Sequence, residues 1–103
     1  MTRFALIATC KFDDVEQRDK VLPVLLAHGA RSLKEEPGKA LEFRLLVSRE
    51  DDTTVVGYEV FESEQSWATH HEGPSVQRLR KEAAALGYDT RARITAIKFN
   101  VAG

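Results

Sequence analysis

Cysteine is almost missing from this chain. Cys10 stands alone among 103 residues, so no intramolecular disulfide can form. It lies in an alternating apolar stretch and reads as a small core residue, not a nucleophile. An excess of charge of either sign is also lacking. Fifteen basic residues face 16 acidic ones, leaving −1 and no global field for DNA, RNA or an anionic membrane. No apolar run approaches the length of a membrane span, and no charged-then-apolar leader opens the sequence. The expected location is therefore the cytoplasm, with neither nucleic acid nor membrane as partner. There is no glycine-rich phosphate loop, no G-x-G-x-x-G and no G-x-S-x-G. That removes support for ATP, nicotinamide, flavin and serine-hydrolase chemistry. No repeat or low-complexity tract is visible.

What is present reads as one domain spanning 1–103. At this length about 60–65% of the unfolded surface is buried, so pairing with a second copy would help stability. Residues 3–12 alternate as a strand, with Phe4, Leu6, Ala8, Cys10 and Phe12 on one face. Asp13 or Asp14 is placed to cap a helix. Val21, Leu22, Leu25, Leu26, Gly29 and Leu33 recur at helical spacing, with Pro23 expected to kink or split the element and Pro37-Gly38 to end it. Residues 40–48 and 53–62 read as an antiparallel hairpin around Glu50-Asp51-Asp52. Ser63 is a good cap for a helix over 64–71, and Pro74 suits the first turn of another, ended by Gly87. Residues 91–101 read as the last strand. The order β-α-β-β-α-β is the split unit of a ferredoxin-like α+β fold: a four-stranded antiparallel sheet with helices on one face. Both faces of the strands carry apolar residues, so the open face is expected to meet a second subunit, giving a homodimer.

Two of the three histidines sit near apolar helix faces. His28 follows Leu25 by three residues, and His70 follows Trp67 by three. A neutral imidazole in such a place can accept a proton near pH 7. Glu59 lies mid-strand with Val55, Gly57 and Phe61, so it either pairs with a base, Arg44 or Arg93, or has a raised pKa. Tyr58 points to the opposite face, as a ligand contact or a core or dimer anchor. His70 and His71 are adjacent rather than four apart and share their helix with no Cys or Asp, so no metal site is expected. Arg78, Arg80 and Lys81, followed by Glu82, read as a solvated helix face.

Taken together, these pieces resemble the antibiotic biosynthesis monooxygenase (ABM) family, from the first strand to about Leu86. They are the helix with His28 leading into Ser32-Leu33-Lys34-Glu35-Glu36-Pro37-Gly38, then Phe43, then Tyr58-Glu59, then Ser66-Trp67-Ala68-Thr69-His70, and last Gly73-Pro74-Ser75. The resemblance implies a dimeric α/β barrel with a small apolar cavity in each subunit. It implies a cofactor-free monooxygenase acting on a small aromatic or quinol-type substrate with dioxygen. In that reading His70 is the base or a hydrogen-bond donor to the phenolate, and Glu59 fixes a histidine tautomer. His28 orients the substrate or relays protons, while Phe43, Phe61 and Trp67 wall the slot and Tyr58 is a further substrate contact. The heme-degrading branch of the family is not supported, because the first strand lacks an asparagine and Phe61 stands where a tryptophan would be. An isomerase of the autoinducer-processing kind and a non-catalytic small-molecule binder remain as alternatives.

Overall fold

A computed structural model describes residues 2–34 and 38–103. In chain order the elements are β1 (Phe4–Lys11), α1 (Val15–Ser32), β2 (Glu42–Val47), β3 (Thr54–Phe61), α2 (Glu64–His71), α3 (Pro74–Ala85), α4 (Thr90–Arg93) and β4 (Ile94–Asn100). The four strands form one antiparallel sheet in the order β2-β3-β1-β4. This is the expected ferredoxin-like α+β topology, with α1 and α3 packed together over the sheet.

Local chemistry accounts for the boundaries. Asp14 caps α1 by accepting from the backbone N–H of Gln17 at 2.7 Å, and Ser63 caps α2 by accepting from Ser66 at 3.1 Å. Pro74 occupies the first turn of α3, where its missing N–H costs nothing. Gly87, at φ +79°, ends that helix. It lets the N–H groups of Gly87 and Tyr88 fold back onto the carbonyls of Ala84 and Ala83. Tyr88 is thereby driven inside, where it stacks on Phe12 at 4.8 Å and donates to the Lys11 carbonyl.

Three expectations need correction. Helix α1 is not split at Pro23 but runs on to Ser32. Pro23 lies on the exposed side, while Val21, Leu25 and His28 hold the buried stripe. Pro37 falls outside the described residues; α1 has already ended at Ser32, and Gly38 follows at φ +78°. The last strand starts later than expected, because Asp89 caps the single turn α4, which takes up residues 91–93.

The sheet register explains why a hollow exists. Across the helix-facing side, Leu45, Gly57, Ala8 and Ala96 form one row through all four strands. Three of these four side chains are a hydrogen atom or a methyl group, so the middle of the sheet is low. Larger groups rise on either side. One buried cluster holds Cys10, Phe12, Val21, Leu25, Val55, Leu79, Ala83 and Tyr88, and the other holds Phe4, Leu6, Ala40 and Phe61 with Trp67 against it. Two cores with a gap between them replace one continuous core. The opposite face carries Ile7, Val56 and Tyr58, and leaves Leu46, Ile97 and Phe99 between 48% and 62% exposed.

Candidate active site

The gap is a cavity of about 310 Å³. Its floor is the row of Leu45, Gly57, Ala8 and Ala96. Leu25 of α1, Trp67 of α2, and Val76 and Leu79 of α3 close over it. Phe43 of β2 walls one side and is wedged against α1. A methyl group on Gly29 would collide with its ring, so glycine is required there by close approach.

Three polar side chains break this apolar lining from inside. Glu59 projects from β3 between Leu6 and Phe43 and is 8% exposed. His28 and His70, at 5% and 6%, enter from α1 and α2. Their rings lie 5.5 Å apart, with His28 edge-on to Phe43 and His70 against Phe61. Two serines tie the imidazoles together. The fully buried Ser32 hydroxyl donates to the His28 carbonyl at 2.8 Å. Its oxygen lies 3.4 Å from Nε2 of His28 and 3.3 Å from Nε2 of His70. With the hydroxyl proton given to the carbonyl, that oxygen is free to accept from either ring. The Ser75 hydroxyl, from the first turn of α3, sits 3.2 Å from Nδ1 of His28.

Burial sets the charge states. It raises the Glu59 carboxyl from an ordinary 4.5 to about 7. It lowers His28 from 6.5 to about 4, helped by the nearby His70 and Arg31 and opposed by a hydrogen bond to the Ser75 backbone. His28 is therefore neutral at pH 7 and serves as a hydrogen-bonding group, while Glu59 is poised to gain or lose a proton there. Burial also pushes the Cys10 thiol up to about 12, which fits the inert core residue its strand position suggested.

The structure brings His28, Phe43, Glu59, Trp67 and His70 around one cavity. It does not bring Tyr58 there. Tyr58 lies on the open face of the sheet, opposite Arg44, because strand side chains alternate. Phe61 is fully buried behind His70 and supports that ring instead of walling the slot. Among the described residues no arginine pairs with Glu59. Arg44 is on the other face, and Arg93 is held by the Lys11 carbonyl and by Asp13. The Ser32 and Ser75 hydroxyls lie within 3.2–3.4 Å of the imidazole nitrogens. Ser32 was missed, although its spacing of four from His28 on one helix carried the signal.

Sequence spacing also gave no hint that His28, Glu59 and His70 could offer one donor atom each within 4.8 Å of one another. Such a set could hold a metal ion. Both ring nitrogens of His28 lie within hydrogen-bond distance of serine hydroxyls.

A family model for antibiotic biosynthesis monooxygenase matches residues 5–82. The chain belongs to the antibiotic biosynthesis monooxygenase family. The match ends within α3 and takes in all the polar groups of the cavity interior. Solved structures agree on the fold. An antibiotic-biosynthesis-monooxygenase-type protein from Caulobacter crescentus superposes with a TM-score of 0.80 at 18% identity, over 99% of this chain and 92% of that one. A Streptomyces coelicolor monooxygenase in complex with nanaomycin D superposes at 0.77 with 23% identity, over 99% and 89%. Rv0793 from Mycobacterium tuberculosis gives 0.78 at 17% identity, over 98% and 96%. No curated protein matches the sequence. Among the described residues, no helix is long and apolar enough to cross a membrane.

Proposed function

We propose that this ABM-family chain is a cofactor-independent monooxygenase that oxidises a small hydroxyaromatic or quinol-type molecule with dioxygen. The observation that carries this reading is a carboxyl with a pKa of about 7 beside two buried histidines, within an apolar cavity about the size of a small aromatic molecule.

The reaction asks little of the protein. A hydroxyaromatic that has lost its phenolic proton is electron-rich enough to give an electron to dioxygen. Recombination at the ring carbon para to the oxygen forms a hydroperoxide. Loss of water from it leaves a quinone, so one phenol and one dioxygen become one quinone and one water. Glu59 takes the phenolic proton. His70, beside Ser32, and the neutral His28 set the polar end of the slot and orient the phenolate oxygen. Phe43, Trp67 and Leu79 hold the ring flat and keep water out.

The chain pairs as a homodimer in this reading. Leu46, Ile97 and Phe99 on the open sheet face are the apolar surface a second copy would cover. The test is oxygen uptake with a panel of dihydroxynaphthalenes and catechols under air. Turnover should fall by two orders of magnitude or more in Glu59→Gln and in His70→Ala. Product formation without oxygen uptake would favour an isomerase, and binding without product would favour a simple binder.

A further inference from the structure

Arg80 and Arg91 stand at the mouth of the cavity. Each lines it and also faces a shallower hollow outside. The sequence placed Arg80 in a solvated run with Arg78 and Lys81, but the helix separates them. Arg78 pairs with Glu82 at 3.3 Å, whereas Arg80, two residues and about 200° further round α3, turns to the cavity and is half-buried. Arg91 arrives from α4, just before β4. Among the described residues neither guanidinium forms an ion pair.

The surroundings are electropositive. Nη2 of Arg80 lies 3.5 Å from Nε2 of His71, whose ring stacks on Trp67 at 4.9 Å. The Lys98 ammonium sits 4.7 Å above the same indole, with its charge met by Glu64. Burial first and then Arg80 hold the His71 pKa below its ordinary value, with smaller help from Lys98 and Arg91 and an opposing pull from Glu72. Two acidic groups share these spaces. Glu59 is deep in the cavity, and Asp89 lines the outer hollow, where its carboxylate accepts from the Arg91 backbone N–H at 3.0 Å.

We propose that Arg80 and Arg91 bind a carboxylate carried by the substrate, so that the ligand class is a hydroxyaryl carboxylic acid and not a neutral phenol. This rests on the hydroxyaromatic reading above. A guanidinium presents a planar fork of donors that matches a carboxylate, and Arg80, half-buried, and Arg91, exposed, bring two such forks to one apolar rim. The reach is set by the sheet. Glu59 is level with Leu6 and Lys98, whereas Arg91 precedes Ile94, which is level with Cys10 and Val55, so the two positions are offset by two strand spacings across the sheet, about 10 Å, and by at least four residues along it, about 13 Å, part of which the long arginine side chain spans. The hydroxyl and the carboxylate therefore sit at opposite ends of the molecule, as in 6-hydroxy-2-naphthoate.

The experiment is calorimetric titration of the full chain with 6-hydroxy-2-naphthoate and with its methyl ester. The acid should bind at least tenfold more tightly than the ester, with the gap shrinking as salt rises. The Arg80→Gln/Arg91→Gln variant should close the gap by weakening the acid far more than the ester. Equal affinity for acid and ester, or a gap that survives in the double variant, overturns the carboxylate site and leaves the hydroxyaromatic reading intact. If neither compound binds, both fall.

Discussion

Replacing Glu59 with glutamine should make the protein more stable in alkaline solution and change it little in acid. The folded chain holds the Glu59 proton more tightly than the unfolded chain does, because burial raises the carboxyl from 4.5 to about 7. The group's contribution to stability is therefore fully present below pH 4.5. It is lost as pH rises toward 7, and the loss is complete above that. Each pH unit in this window is worth about 1.4 kcal/mol, so charging Glu59 costs about 3 kcal/mol by pH 8. The glutamine variant has no such loss. His28 acts in the opposite direction. Its pKa is lowered to about 4, so its contribution is present above 6.5 and is lost as pH falls toward 4. In the folded chain His28 titrates at a pH where Glu59 is still uncharged, as glutamine is, so its effect largely cancels in the difference between the two proteins. Urea unfolding at one fixed protein concentration, at pH 4.5, 6, 7 and 8, measures that difference. The stability gap between variant and wild type should widen by about 3 kcal/mol from pH 4.5 to pH 8. A gap that is the same at both ends would mean that Glu59 is not held in an apolar environment, and the proton-accepting role argued for it would go with that.

Two further outcomes follow from the sheet itself. Ala8→Leu puts three more carbons onto the cavity floor beside Gly57 and Ala96, so 2-naphthol affinity should drop at least tenfold while the far-ultraviolet circular dichroism is unchanged; undiminished affinity would place the ligand elsewhere. Ile97→Glu introduces a charge at a position 62% exposed on the open sheet face, and sedimentation should then report a monomer where the wild type reports a dimer. An unchanged association state would show that this face is not the interface.

Much of the fold was legible because its signals are local. Alternation marked β1 and the hairpin, Asp14 and Ser63 marked helix starts, and Pro74 and Gly87 bracketed α3 to within two residues. Pro23 does not split α1, for a definable reason. A proline costs one hydrogen bond, and a buried stripe of Val21, Leu25 and His28 outweighs that loss. The last strand begins three residues later than its alternation suggests, because Asp89 caps a turn ahead of it.

The site divides in the same way. Amino-acid order alone settled which faces carry Glu59, His28 and His70, and excluded Tyr58 from the side that Glu59 occupies, since strand alternation and helical spacing need no knowledge of distant partners. Tertiary structure decided the rest. The row of Gly57, Ala8 and Ala96 that makes room for a ligand, the serine link between two histidines, the burial that shifts Glu59, and the turn of Arg80 toward the mouth each join residues from different elements. Such contacts depend on sheet register and on the way helices seat over it, and those are fixed by the packing of the whole chain.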